Sequence, residues 1–159
     1  MIVLGIDPGT KVTGYGIVQN ESGKLTHVTY GEIRIKRGEL LSQGLKKIYD
    51  SLMEVVVQFE PHAIAIENVF YGKNVQSLIK QAQARGVAIL VASHNGILIY
   101  EYTPLEGKKA AVGYGRAEKS QVQRMVKAIL GLPELPPEDA SDALAIAICH
   151  SNFLKVEPF

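Results

Sequence analysis

The sequence predicts an α/β fold in which a five-stranded mixed sheet carries helices on both faces. Two patterns lead there. The chain opens with three strand-like segments joined by short connections, which implies an antiparallel meander. Helical spacing then alternates with short apolar strands, giving the order βββαβαβ followed by helices, an order that layers helices against a sheet.

Ile2–Ile6 is apolar and ends in Asp7-Pro8-Gly9, a strand running into a turn. Gly14–Val18 and Lys24–Lys36 read as the next two strands, with Ser22-Gly23 as the hairpin turn before the third. Leu40–Phe59 places Leu41, Leu45, Ile48, Leu52, Val55 and Val56 on one helical face, and Pro61 punctuates its end. The strand His62–Glu67 follows this crossover helix and should therefore run parallel to the first strand. Asn74–Ser93 is a long helix with Val75, Leu78, Ile79, Ala82 and Ile89 on its apolar stripe, and Asn95-Gly96 turns the chain into the strand Ile97–Tyr102. Proline opens a short helix at Pro104–Ala111. Lys119–Leu130 is the next helix. A stiff loop containing Gly131, Pro133, Pro136 and Pro137 precedes a final Ala- and Ile-rich helix from Glu138 to Phe153. No internal repeat or second domain is evident, so residues 1–159 are expected to form one domain.

Hydrophobic residues make up 47% and charged residues 21%, which is the balance of a globular chain with a core rather than a disordered one. The longest apolar runs, such as Gly86–Ser93, fall far short of the roughly 20 residues that span a bilayer. MIVLGID has no basic region before it and reads as a strand, not a signal peptide. The single cysteine, Cys149, excludes an intramolecular disulfide and a cysteine-based zinc site, and a reducing cytoplasm is the expected compartment. The formal net charge is only +1 but is unevenly spread: residues 1–70 carry −1, 71–130 carry +6 and 131–159 carry −4. A basic middle beside acidic ends suits a polyanion-binding face next to a cation site, although solvated surfaces also cluster charge by chance.

The chemistry points to carboxylates at the ends of elements. Asp7 closes the first strand and Glu67 closes the fourth; if those strands are parallel neighbours, both acids emerge at the same edge, where ligands of α/β sheets gather. Asp139 and Asp142 lie three apart in the first two turns of the final helix and share a face. Each acid alone admits a structural reading, as turn former, strand end or helix cap, and Glu138 competes for the same face. Together they repel unless hard cations neutralise them, and an oxygen-rich site of this kind suits Mg²⁺ or Mn²⁺. Two ions about 3.5–4 Å apart would stabilise the attacking and leaving oxygens of phosphodiester hydrolysis.

The segments GIDPGTKVTGYG (5–16), AIENVFYGKN (65–74), QARGVA (83–88), GYGRAEKSQV (113–122) and DASDALAIAICH (139–150) resemble the RuvC family of Holliday-junction resolvases, in the family's order and spacing. Thr10 and Ser141 depart mildly from its pattern, and the basic tail of some members has no counterpart. The resemblance implies a ribonuclease-H-like fold and a homodimer that nicks four-way DNA junctions symmetrically, acting in recombination and repair beside the RuvA–RuvB branch-migration complex. It maps the catalytic and metal-holding acids onto Asp7, Glu67, Asp139 and Asp142, with Mg²⁺ as cofactor, two ions per subunit, and Mn²⁺ able to substitute. Lys119 would hold or stabilise the phosphate; Lys108 corresponds to a further lysine near the scissile strand, with Lys109 as the competing alignment. Phe70 corresponds to an aromatic that meets unpaired bases at the junction.

Lys73, Lys80, Arg85, Arg116 and Arg124 in the basic middle are candidate DNA phosphate contacts. The glycines of GTKVTGYG (9–16) suggest a phosphate cradle, but no GxxxxGK[ST] motif is present. His27, His62 and His94 lack ligand spacing, and His150 fits a helix C-terminus favoured by the dipole. Three other functions compete: an actin-like ATPase, which needs two domains; an inert junction-binding module, which would not need four acids; and a nuclease acting on RNA–DNA hybrids.

Overall fold

The computed structural model describes residues 1–69, 72, 74–153 and 158. Among the described residues ten elements follow in the order β1 (Ile2–Asp7), β2 (Val12–Glu21), β3 (Lys24–Arg34), α1 (Leu41–Phe59), β4 (Ala63–Glu67), α2 (Val75–His94), β5 (Leu98–Tyr102), α3 (Pro104–Val112), α4 (Lys119–Leu130) and α5 (Glu138–Asn152). The five strands form one mixed sheet ordered β3-β2-β1-β4-β5. β1, β2 and β3 pair antiparallel, whereas β4 runs parallel to β1 and β5 parallel to β4. The expected mixed α/β sheet is thus the one observed.

Local chemistry accounts for most boundaries. Ser22 (φ 51°) and Gly23 (φ 88°) both take positive φ, which matches the twist of a tight hairpin, and the Asn20 side chain accepts the Gly23 N–H at 2.9 Å. β2 runs from Val12 to Glu21, well beyond the Gly14–Val18 core read from apolar alternation. It is paired on both sides, so the ladder satisfies the backbone of Gln19 and Asn20, whose side chains give no strand signal. β3 stops at Arg34, short of Lys36, whose N–H turns to the Glu39 carboxylate at 2.9 Å. Thr103 and Glu106 form a capping box that starts α3, with Pro104 in its first turn.

The alternating strand residues feed two cores. Leu4, Ile6, Ile17, Ile64 and Ile66 face α1 and α2, while Val3, Val18, Ala65 and Tyr102 face α3, α4 and α5. The second core is organised by α5, whose residues Ala143–Ile148 are all buried. α5 lies so close to the sheet that only glycine fits beneath it. A Cβ at Gly5 would overlap the Ala143 carbonyl, one at Gly14 the Asp139 carbonyl, and one at Gly16 the Leu144 side chain. Gly5, Gly14 and Gly16 therefore have a packing role, the close approach of a helix. Among the described residues, no helix is long and apolar enough to cross a membrane.

Gly14→Ala should push α5 off β2 and lower stability by about 1–3 kcal/mol, the range for overpacking a dense core. Urea unfolding checks this; an unchanged midpoint would mean that the helix does not rest on this glycine.

Candidate active site

Two strand ends and one helix start meet at a single cleft. In the parallel register Ile6 pairs with Ile66, so Asp7 and Glu67, the next residues, leave the sheet at the same edge. Ile6 and Ile66 are buried towards α1 and α2, and the strand period of two turns Asp7 and Glu67 to the opposite face, where α5 lies. The two carboxyl groups are hydrogen-bonded to each other. α5 begins over this edge and brings Asp139 and Asp142 to it, held by its seat on Gly5 and Gly14. All four acids line one cleft of ≈ 720 Å³, together with Lys80, Lys108 and Lys119.

The electrostatics are those of crowded, half-dry carboxylates. Burial, reinforced by the Glu67 charge, pushes the Asp7 carboxyl up to about 10. Burial also raises Glu67, although its hydrogen bond to Asp7 and the positive charge of Lys119 and Lys108 oppose the shift. The pair accordingly titrates as a unit that retains a proton at neutral pH. Asp142 is pushed up to about 7 by burial and then by Glu67. Asp139 is raised by burial and by Glu32, which hydrogen-bonds to it.

Such a donor set fits hard divalent cations, which favour carboxylate oxygen and would relieve the repulsion. No three His, Cys, Asp or Glu side chains among the described residues form a ready-made ligand cluster. The fit rests on donor chemistry and on the shared cleft.

The remaining sequence candidates divide by position. Lys119, at the start of α4, forms an ion pair with Glu138, and that bond raises its pKa and keeps it charged. Glu138, the competitor for the acid face, is thereby the partner of Lys119 and does not line the cleft. Lys108 lines the cleft and Lys109 does not. Lys80 also lines the cleft. Arg85 is largely buried and paired with Glu101, which ties α2 to β5 and directs its guanidinium into the protein. Arg116 and Arg124 lie outside the cleft, and Arg124 bonds back to the Ser120 carbonyl at 3.1 Å. Phe70 and Lys73 lie outside the described residues.

Glu32 escaped the sequence reading. It sits in β3 opposite Gly14, and only the pairing of β2 with β3 beneath α5 brings it to Asp139. His150 also differs from expectation. It is 1% exposed and its Nδ1 meets the Tyr102 hydroxyl at 2.8 Å. Burial lowers its pKa, so it is a neutral core residue rather than a charge at a helix end.

The family model described as crossover junction endodeoxyribonuclease RuvC matches residues 3–150. The chain belongs to the RuvC family. A RuvC from Citrifermentans bemidjiense is 50% identical over 152 residues, covering 96% of this chain and 93% of the relative. One from Ruminiclostridium cellulolyticum is 49% identical, covering 96% and 92%. T. thermophilus RuvC solved in complex with a Holliday junction substrate superposes with a TM-score of 0.92 at 32% identity, covering 100% of this chain and 99% of that one. The yeast mitochondrial resolvase Ydc2, at 16% identity and TM-score 0.64, shares the fold. The fold is therefore the ribonuclease-H-like one of RuvC, and membership makes the chain a divalent-metal-dependent endonuclease.

Raised carboxyl pKa values have a definite consequence for stability. A carboxyl that holds its proton more tightly when folded contributes stability that is fully present below its ordinary pKa. That contribution is lost as pH rises through the folded value, here from 3.8 to about 7 for Asp142 and to about 10 for Asp7. In EDTA, the melting temperature should fall across this window. Asp7→Asn should raise it at pH 8 by at least about 2–4 °C, the shift that ~1 kcal/mol gives in a domain of this size. Calorimetry showing no gain for Asp7→Asn would contradict the cost of burying this charge beside Glu67.

Proposed function

We propose that this RuvC-family chain resolves four-way DNA junctions by symmetric, Mg²⁺-dependent phosphodiester hydrolysis in recombination and repair. The observation that carries the reading is the convergence of Asp7, Glu67, Asp139 and Asp142 from three elements on one cleft edged by Lys119 and Lys108. Residues 1–159 act as one nuclease domain. We place the protein in the cytoplasm, beside the RuvA–RuvB branch-migration complex. Family membership and the junction bound by the T. thermophilus protein support the choice of substrate.

The four acids would hold two Mg²⁺ ions per subunit, with Mn²⁺ able to substitute; when bound, the ions supply activation of water and neutralisation of the phosphate charge. The chain's own residues do the rest. Asp7 and Glu67 are fixed by the paired ends of β1 and β4, so their oxygens do not have to be ordered during the reaction. Asp139 and Asp142 are fixed by the buried helix behind them. Lys119, kept protonated by Glu138, donates to a non-bridging phosphate oxygen as negative charge develops. Lys108 approaches the same strand from α3.

A homodimer supplies the symmetry. α2 buries Ala84, Ala88, Val91 and Ala92 on one face. About half a turn away, Val75, Ile79 and Leu90 are 57%, 52% and 47% exposed, and Ala82 and Gly86 continue that stripe. A helix apolar on both faces has a second partner to meet, and a twofold copy would place one cleft on each of two strands. Gly86, with no atom near its Cβ position, would let the copies approach closely.

A mobile synthetic junction should be nicked symmetrically with Mg²⁺ and left intact in EDTA or by Asp7→Asn, while linear duplex and RNA–DNA hybrid are spared. Hybrid cleavage in preference to junction cleavage would overturn the substrate assignment. Lys119→Ala should slow single-turnover nicking by about 10²-fold, the scale for one charge-stabilising donor, with junction affinity retained. Ile79→Asp should give a monomer by light scattering; a persistent dimer would move the interface elsewhere.

A further inference from the structure

The geometry points to a second DNA contact surface: a basic groove formed by the β1–β2 turn, the end of β3 and the β3–α1 loop, which holds the phosphate backbone of the DNA arm leaving the acidic cleft. This rests on the junction-nuclease reading above.

The groove measures ≈ 800 Å³ and is lined by Lys11, Arg34, Lys36, Arg37 and Lys80, with Glu39 as the sole acid among the described residues. The Glu39 carboxylate accepts the Lys36 N–H at 2.9 Å. Arg34 has an ion-pair partner in Glu32. Among the described residues, Lys11, Lys36, Arg37 and Lys80 face no carboxylate at ion-pair distance. Five cations from three separate stretches of chain thus converge with little internal compensation. Ile35, Leu41, Leu45 and Ile48 supply the apolar part of the same groove.

Position gives this charge its meaning. The groove and the acidic cleft share Thr10, Lys11, Val12 and Lys80, so one opens directly into the other. A DNA strand carries one phosphate per about 3.4 Å. A strand with its scissile phosphate at Asp7 and Glu67 must carry the neighbouring phosphates out of the cleft, away from four carboxylates. The groove offers that exit with the opposite sign of charge. It is made mostly of residues from the first 70, a part of the chain whose net charge is slightly negative; the acids that balance it in sequence lie elsewhere in space.

The test is junction binding followed by fluorescence anisotropy across a KCl series, in the Asp7→Asn background so that the DNA stays whole. Lys36→Ala/Arg37→Ala should weaken binding and make the plot of log affinity against log salt shallower by about 0.9 for each phosphate left without its cation, so about 1.8 for the pair. Lys36→Arg/Arg37→Lys should restore the slope. Lys24→Ala/Lys46→Ala, which removes the same charge away from the groove, should leave it unchanged. An alanine pair indistinguishable from its parent, or a control that falls equally, would overturn the groove assignment alone. A parent that does not bind the junction would overturn the nuclease reading as well.

Discussion

The burial of four carboxylates side by side is the constraint around which this molecule is built. Each would be more stable in water, and burial is the largest cause raising all four, reinforced by neighbouring carboxylates and opposed at Glu67, Asp139 and Asp142 by the charge of Lys119. They stay because stronger forces elsewhere leave them no room to separate. The ladder between β1 and β4 holds Asp7 and Glu67, and an almost wholly buried helix holds Asp139 and Asp142. The hydrophobic energy of α5, whose large apolar side chains each contribute about 1.5–3 kcal/mol when buried, offsets the strain at its acidic start. Stability is surrendered at the site and recovered in the core beneath it.

The glycines of β1 and β2 make that arrangement possible. With any side chain at Gly5, Gly14 or Gly16, α5 would stand farther from the sheet and its acids would sit above the cleft rather than on its edge. The same residues thus set both packing density and the distance between charges. The ion pair of Lys119 with Glu138 extends this order outward, since it joins α4 to the start of α5 and keeps a cation beside the acids.

Charge read along the chain and charge read in space give different surfaces. Summation over segments places the polyanion-binding face in residues 71–130. In the fold, Arg85 from that segment is committed to Glu101, whereas Lys11, Lys36 and Arg37 from the acidic segment join Lys80 on one groove. Net charge over a stretch of sequence says how many cations exist, but strand pairing and helix packing decide which of them share a surface.

The element order, the parallel placement of β4 against β1 and the meeting of the four acids at one cleft were legible in the sequence. Apolar periodicity, the crossover rule and turn residues such as Ser22-Gly23 act locally, and the motifs lie in continuous stretches. Other features were decided only in three dimensions. Glu32 reaches Asp139 through a strand pairing, Lys108 faces the cleft because of how α3 is rotated, and His150 is neutral because Tyr102 and the core close over it. The reason is physical: a residue's period and neighbours in the chain fix its element, but its charge state and its partners depend on atoms supplied by distant segments.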